Sequence, residues 1–431
     1  MNTVSLNQTG NIYAPQRVVN STANGAQNVS NPQVAQKYSS VPAGVMGLSN
    51  VRTELVTLDE KQKYMTLLQV ADVNDRKNLQ LLLRNGTLLN NNSDDKSTTL
   101  DNLCKMVTTQ RATGLTPQMV LKETLSALAN PFVINQTFGD IPTPYVKPIV
   151  DNIKPNEKAR NCAIDKNTIN VKYSSSCVSA SIEFNLAKQS PAEFARFAEG
   201  LTSPNISVEK TVDLKNLTEN KQDALRLLDS FEIPYLRQGA DKVRVLLAPD
   251  KNAIIRARIQ NSHKDLNERS LVDALMQSTF MNVGSQQSYD SLTDMRGGKF
   301  SEDNKGLVEY EKTFTESIVQ NKSKTSVTYQ VLDDNARITG YSCDFSKMIK
   351  QIVSALKSGE NVIVGYTETD ASNRVINGHE ITIVGIKKDK NGELVFICND
   401  TDDNKSCPVT HKVKELLPKI HHAGLPSEIA A

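Results

Sequence analysis

The sequence has no run approaching the eighteen or so apolar residues that cross a bilayer. Its start, "MNTVSLNQTGNIYAPQRVVNS", lacks the charged region and apolar core of a secretory signal. The expectation is a soluble chain made in the cytoplasm, with no membrane partner and with export by a route that uses no cleavable signal left open. Net charge is nearly absent too. Fifty basic against 48 acidic residues leave +2, so composition argues for no nucleic acid and no anionic surface as partner. Cysteine is scarce: six, at 104, 162, 177, 343, 398 and 407, follow no repeating spacing. That excludes a disulfide scaffold in so long a chain and leaves free thiols in a reducing compartment as the default. Hydrophobic residues reach only 38%, a deficit assigned to an N-terminal tail and polar loops rather than to a starved core.

What is present divides along the chain, and 431 residues suffice for two or three domains. Residues 1–50 are rich in Asn, Ser and Gln without any period and read as a disordered tail that cannot bury enough surface to offset its ordering entropy. From Thr57 to about Leu89 the leucines at 67, 68, 79, 82 and 83 recur at helical spacing. Two more helices follow, one behind a Thr cap before Leu100, the other with Thr116 as cap and Pro117 at its first position. Together they make a small all-α domain over 52–130. Four prolines make 140–156 an extended connector. Beyond it, helical stretches at 178–200, 218–231, 264–282, 305–321 and 344–358 interleave with β-like runs such as "KVRVLLAP", "TSVTYQVL", "NVIVGY", "HEITIVGI" and "ELVFICN". A strand-rich half after a helix-rich one is the α+β pattern.

The candidate chemistry rests on one cysteine and one histidine. In "VKYSSSCVSASIEFNLAK" an extended run meets three serines able to cap, and then Val178, Ile182 and Leu186 recur every four residues. Cys177 therefore falls in the first turn of a helix, where unpaired N–H groups and the dipole favour a thiolate. His379 opens an apolar strand after Gly378, which suits an imidazole held on a rigid element. Asn391-Gly392 predicts a tight hairpin to the next strand. Its loop length decides which neighbour shares a face with His379: an even loop brings Asp400 there, an odd loop Asn399. Asp400 is favoured, with a four-residue loop or a bulged strand, and Asn399 stays as its rival.

The segment "SALKSGENVIVGYTETDASNRVINGHEITIVGIKKDKNGELVFICNDTDD" resembles the C-terminal half of papain-like cysteine peptidases, in the broad sense that includes the bacteriocin-processing peptidases of bacterial exporters. A "G-x-x-V-I-V" strand leading to a Gly-His strand, an Asn or Asp ending the next strand, and a Cys opening a long helix are shared. The resemblance covers about 160–205 and 340–405. It implies a papain-like domain over 140–420, with an inserted helical subdomain at about 205–325. It also implies a cofactor-free thiol hydrolase of peptide or amide bonds, whose partner is a protein or peptide substrate. Cys177 would be the nucleophile, His379 the base and then the acid, and Asp400 or Asn399 the group that orients the ring. Such families place a Gln shortly before the Cys. None lies between Gln136 and Gln189, which leaves the oxyanion to Asn170 or to backbone N–H groups. Two alternatives stand beside hydrolysis: a catalytically silent fold that binds protein, and acyl or amine transfer through the same thioester. The upstream helices lie where papain-like enzymes carry inhibitory pro-segments, with a docking module as the plainer reading.

Metal sites are weaker. Cys398, Cys407, His411, His421 and His422 could be imagined as zinc ligands, but the gap between the two cysteines is too wide for a zinc knuckle. "DTDDNKS" begins like a calcium loop but has Lys405 in place of the turn glycine.

Overall fold

A computed structural model of the chain describes residues 51–138, 174–263, 268–296, 306–402 and 405–430, with the short pieces 40–41, 141, 144, 162–164 and 169–171. It is mixed α and β, in keeping with the α+β expectation. The stretch 57–89 forms two helices rather than one, Leu58–Val70 and Val73–Arg84. The break has a local cause. Asp72 accepts the N–H groups of Asn74 and Asp75 and completes a capping box with Asp75, so a second start signal interrupts the helix. Thr99–Thr108 and Pro117–Ala129 follow, capped by Thr98 and Thr116. Leu67, Leu79, Leu103 and Leu125 from these helices join Val178, Ile182, Phe194 and Phe280 in one apolar cluster. The helices of 52–130 thus share a core with those that follow.

The expected helix at 178–200 is also split, into Cys177–Gln189 and Pro191–Leu201, because Pro191 has no N–H to continue the first. Lys221–Ser230, Glu309–Gln320 and Phe345–Lys357 lie close to expectation. The helix expected from 264 starts only at Leu271, behind a Ser270–Asp273 capping box, and Ala253–His263 is a helix the periodicity did not suggest.

The insertion at 205–325 is not all helical. Val208–Asp213, Lys242–Leu247 and Tyr235–Gln238 form a three-stranded antiparallel sheet within it. Val208–Asp213 alternates buried with more exposed positions, the period-2 signature of a half-buried strand.

The principal sheet runs, in spatial order, Val409–Lys412, Leu394–Asn399, Val375–Lys388, Val362–Thr369, Ile420–Pro426, Lys324–Thr328, with every neighbour antiparallel. Val362, Val364, Ile381 and Ile383 pack under Met348, Ile352 and Leu356 of the Phe345–Lys357 helix. Ile363, on the opposite face, belongs with the core of the Cys177–Gln189 helix. The sheet is therefore covered on both sides. Within the tail, Ser40–Val41 pair with Lys387 and Ile386 and so add a short strand to the sheet, which corrects a wholly disordered reading there; the rest of 1–50 lies outside the described residues. So does the connector over 140–156, apart from Ile141 and Pro144. Among the described residues no helix is long and apolar enough to cross a membrane.

Candidate active site

Cys177 is the first residue of its helix and is partly exposed. The serines before it clamp the turn instead of capping the helix. Ser174 Oγ and Ser176 Oγ accept from Arg269 Nη2 at 2.8 and 2.9 Å, and Ser176 Oγ donates to Gln277 Oε1 at 3.2 Å. The Ser175 N–H donates to Asp294 Oδ2 at 2.8 Å. Arg269 is buried, 3.8 Å from Asp294 Oδ1. With the serine hydroxyls engaged there, no side chain caps the helix start. Its first-turn N–H groups are thus left to serve a negative charge, with a guanidinium behind them.

The strand Val375–Lys388 brings His379 to the site. Its hairpin to Leu394–Asn399 closes through Asp389 and Glu393, whose N–H and C=O meet at 2.8 Å, and Gly392 sits at φ +79° donating to Asp389 O. The loop is therefore three residues, an odd number that by parity alone would favour Asn399. A bulge reverses that. Pairing runs Thr382 with Asn399 and Ile383 with Cys398, then resumes at Gly385 with Ile397, so Val384 is an extra residue. Asp400, next after the strand, returns to the face of His379, and its Oδ1 lies 2.8 Å from His379 Nε2. Asn399 is buried on the other face, with its Nδ2 lacking a hydrogen-bond partner. Asp400 is itself held, since the Asp402 N–H donates to Oδ1 at 3.1 Å. Thr401 is bound to Gln136 through both backbone and side chain, at 2.9 and 2.7 Å.

Electrostatics follow from these contacts. Burial alone would push the His379 imidazolium down. Hydrogen bonds to Asp400 and Cys177 more than offset it and hold the ring well above its usual range. Asp400 is depressed although burial opposes it, because His379 hydrogen-bonds it. The Tyr366 ring stands edge-on to His379 at 5.7 Å, and burial, then the Asp400 charge, pushes its phenol up to about 12. Cys104, Cys343 and Cys398 are raised by burial, which leaves them poor nucleophiles at neutral pH.

Cys177, His379 and Asp400 thus come together, and Asn399 does not join them. Asn170 lies on the short strand Ile169–Val171, opposite Ala163, and its side chain is outside the described residues. Tyr366 escaped the sequence reading although it directly faces His379 in the register; the "VIVGY" strand was its only signal. Arg269 and Gln136 carried none, because their roles arise from contacts between distant segments. Cys398 is buried in its strand and Cys407 is exposed. Among the described residues, neither belongs to a cluster able to hold a metal. In the calcium-like segment, Asp400 is committed to His379. Comparison with known proteins finds no matching family model, curated protein or solved structure.

Proposed function

We propose that the chain is a papain-like thiol hydrolase acting on peptide or amide bonds, with Cys177, His379 and Asp400 as its triad. The observation that carries the reading is the imidazole of His379, which Asp400 holds through Nε2 while Cys177 interacts with the same ring. That geometry leaves Nδ1 for the thiol. A nucleophile, a base and an orienting carboxylate in this sequence are what acyl transfer to sulfur requires. The helix opening on Cys177 and the antiparallel strands carrying His379 and Asp400 further support a papain-like arrangement.

In the proposed cycle His379 takes the Sγ proton and the thiolate attacks the carbonyl carbon, forming the C–S bond. The oxyanion is met by N–H groups of the uncapped first turn. His379 then returns the proton to the nitrogen as the C–N bond breaks and the amine leaves. A water, deprotonated by His379, attacks the thioester carbonyl; the C–S bond then breaks, the carboxylic acid product leaves, and the proton held by His379 returns to Sγ. Asp400 keeps Nε2 protonated throughout and stabilises the imidazolium.

The test is hydrolysis of a mixed peptide library by the full chain, read by mass spectrometry. Cleavage lost in both Cys177→Ala and His379→Ala supports the reading. Absence of cleavage by a folded wild-type chain, with Cys177 no more reactive than Cys407, favours the silent binding fold. Added amines that capture the acyl group in place of water would identify transfer.

A further inference from the structure

Away from the thiol, the strand Ile420–Pro426 carries two successive histidines, which in a regular strand would project to opposite faces. Here they do not. Pairing with Val362–Thr369 sets Gly365 opposite His422 but Tyr366 opposite Ile420, so His421 is the extra residue of a β-bulge, a device that re-aims side chains. The two rings turn toward each other with Nδ1 atoms 2.9 Å apart. Glu309, the first residue of its helix, brings Oε1 to 3.1 Å from His421 Nδ1 and 3.5 Å from His422 Nδ1. A tetrahedral ion with bonds near 2.05 Å has ligand edges of about 3.3 Å, the size of this triangle.

The surroundings orient each donor. His422 Nε2 is 2.7 Å from Glu380 Oε1, although its N–H is not aimed straight at that oxygen, and Glu380 is anchored by Lys312 Nζ at 3.2 Å. This leaves Nδ1 of His422 as the lone-pair nitrogen, as in the carboxylate–histidine–metal relay. Glu309 Oε2 accepts from Thr328 Oγ1 at 2.6 Å and Ser326 Oγ at 3.2 Å, which directs Oε1 at the imidazoles. Gly365 makes room for the relay: a Cβ there would stand 2.3 Å from His422 Cε1 and 2.6 Å from Glu380 Oε1.

We propose that Glu309, His421 and His422 form a zinc site, with a fourth position open to water on the partly exposed side of Glu309 and His421. Two imidazoles and one carboxylate select a borderline ion over magnesium or calcium, which prefer all-oxygen shells. The ion would tie the Glu309–Gln320 helix to the strand Ile420–Pro426, inside the principal sheet. Glu380 follows His379 directly, and Gly365 precedes Tyr366, so the site grips the same two strands as the thiol site. The proposal does not depend on the thiol chemistry.

The test uses the full chain, stripped with a chelator and titrated with zinc chloride by calorimetry, then with Co2+ followed in the visible spectrum. One ion per chain is expected, with the intense d–d bands of four-coordinate Co2+. Glu309→Gln and His421→Gln should each weaken zinc at least about tenfold, while Cys177→Ala binds like wild type. Circular dichroism of the metal-free variants checks their fold. Both substituted side chains are partly exposed, so either folded variant decides the matter. Absence of stoichiometric binding, or binding unchanged in the folded variants, would overturn the site and leave the cluster as a hydrogen-bonded polar contact.

Discussion

Replacing Asp400 by Asn removes a charge from the His379 contact while keeping an acceptor oxygen in place. Both side chains are less than one-fifth exposed, at 17% and 18%, so solvent screening does not erase the effect. A hydrogen bond to a charged group contributes about 1.5–3 kcal/mol and a neutral one about 0.5–1.5, so the imidazolium should lose roughly 1–1.5 kcal/mol. At 1.36 kcal/mol per unit, the His379 titration should fall by about one pH unit. Its sign follows from linkage. His379 is raised above 6.5, so its protonated form stabilises the fold fully below pH 6.5, and that contribution is lost as pH rises through the folded value. Asp400→Asn should therefore be less stable than wild type in mildly acidic buffer, with a deficit that shrinks as the pH is raised. Imidazole NMR can follow this directly, because only five histidines compete for assignment. A His379 step that stays put or moves upward in the folded variant would refute an orienting and charge-stabilising role for Asp400.

At pH 6, iodoacetamide should label Cys177 about 10–100 times faster than the exposed Cys407, and His379→Ala should erase the difference; equal rates in wild type would count against activation. Glu193 is buried between Arg196 and Lys210, and although burial opposes it, these partners lower its carboxyl from 4.5 to about 2. Its contribution, about 3 kcal/mol, is present above pH 4.5 and lost as pH falls through about 2. Glu193→Gln should thus cost stability in urea at pH 7 but little at pH 2, and an equal loss at both would argue against the charge. Gly365→Ala should lower the urea midpoint by an amount equivalent to about 1–3 kcal/mol, the usual cost of overpacking, because its methyl would meet His422 and Glu380; unchanged stability would mean that the two strands yield freely there.

Several features were legible in the sequence because their causes lie within a few residues. The Thr and Pro signals of 98–129 decide where helices begin, since they satisfy or forgo local N–H groups. The spacing after Cys177 put the thiol at a helix start, and Asn391-Gly392 turned the His379 strand back on itself. Other features depended on distant partners. Local signals could not choose between Asp400 and Asn399. A three-residue loop and a bulge at Val384 each reverse the facing, and only the packing of the strand decides whether both occur. The clamp on the serines needs Arg269, which no motif linked to them. The strand Ile420–Pro426 ends as a paired element with a bulge at His421, a register set by its neighbours Val362–Thr369 and Lys324–Thr328. The sequence by itself determined where the reactive groups stand along the chain, through short-range capping and periodicity. Tertiary structure decided whether Asp400 or Asn399 meets the imidazole, and which helix meets the paired histidines, because strand register and buried charge pairing are energies of contacts between segments far apart in the chain.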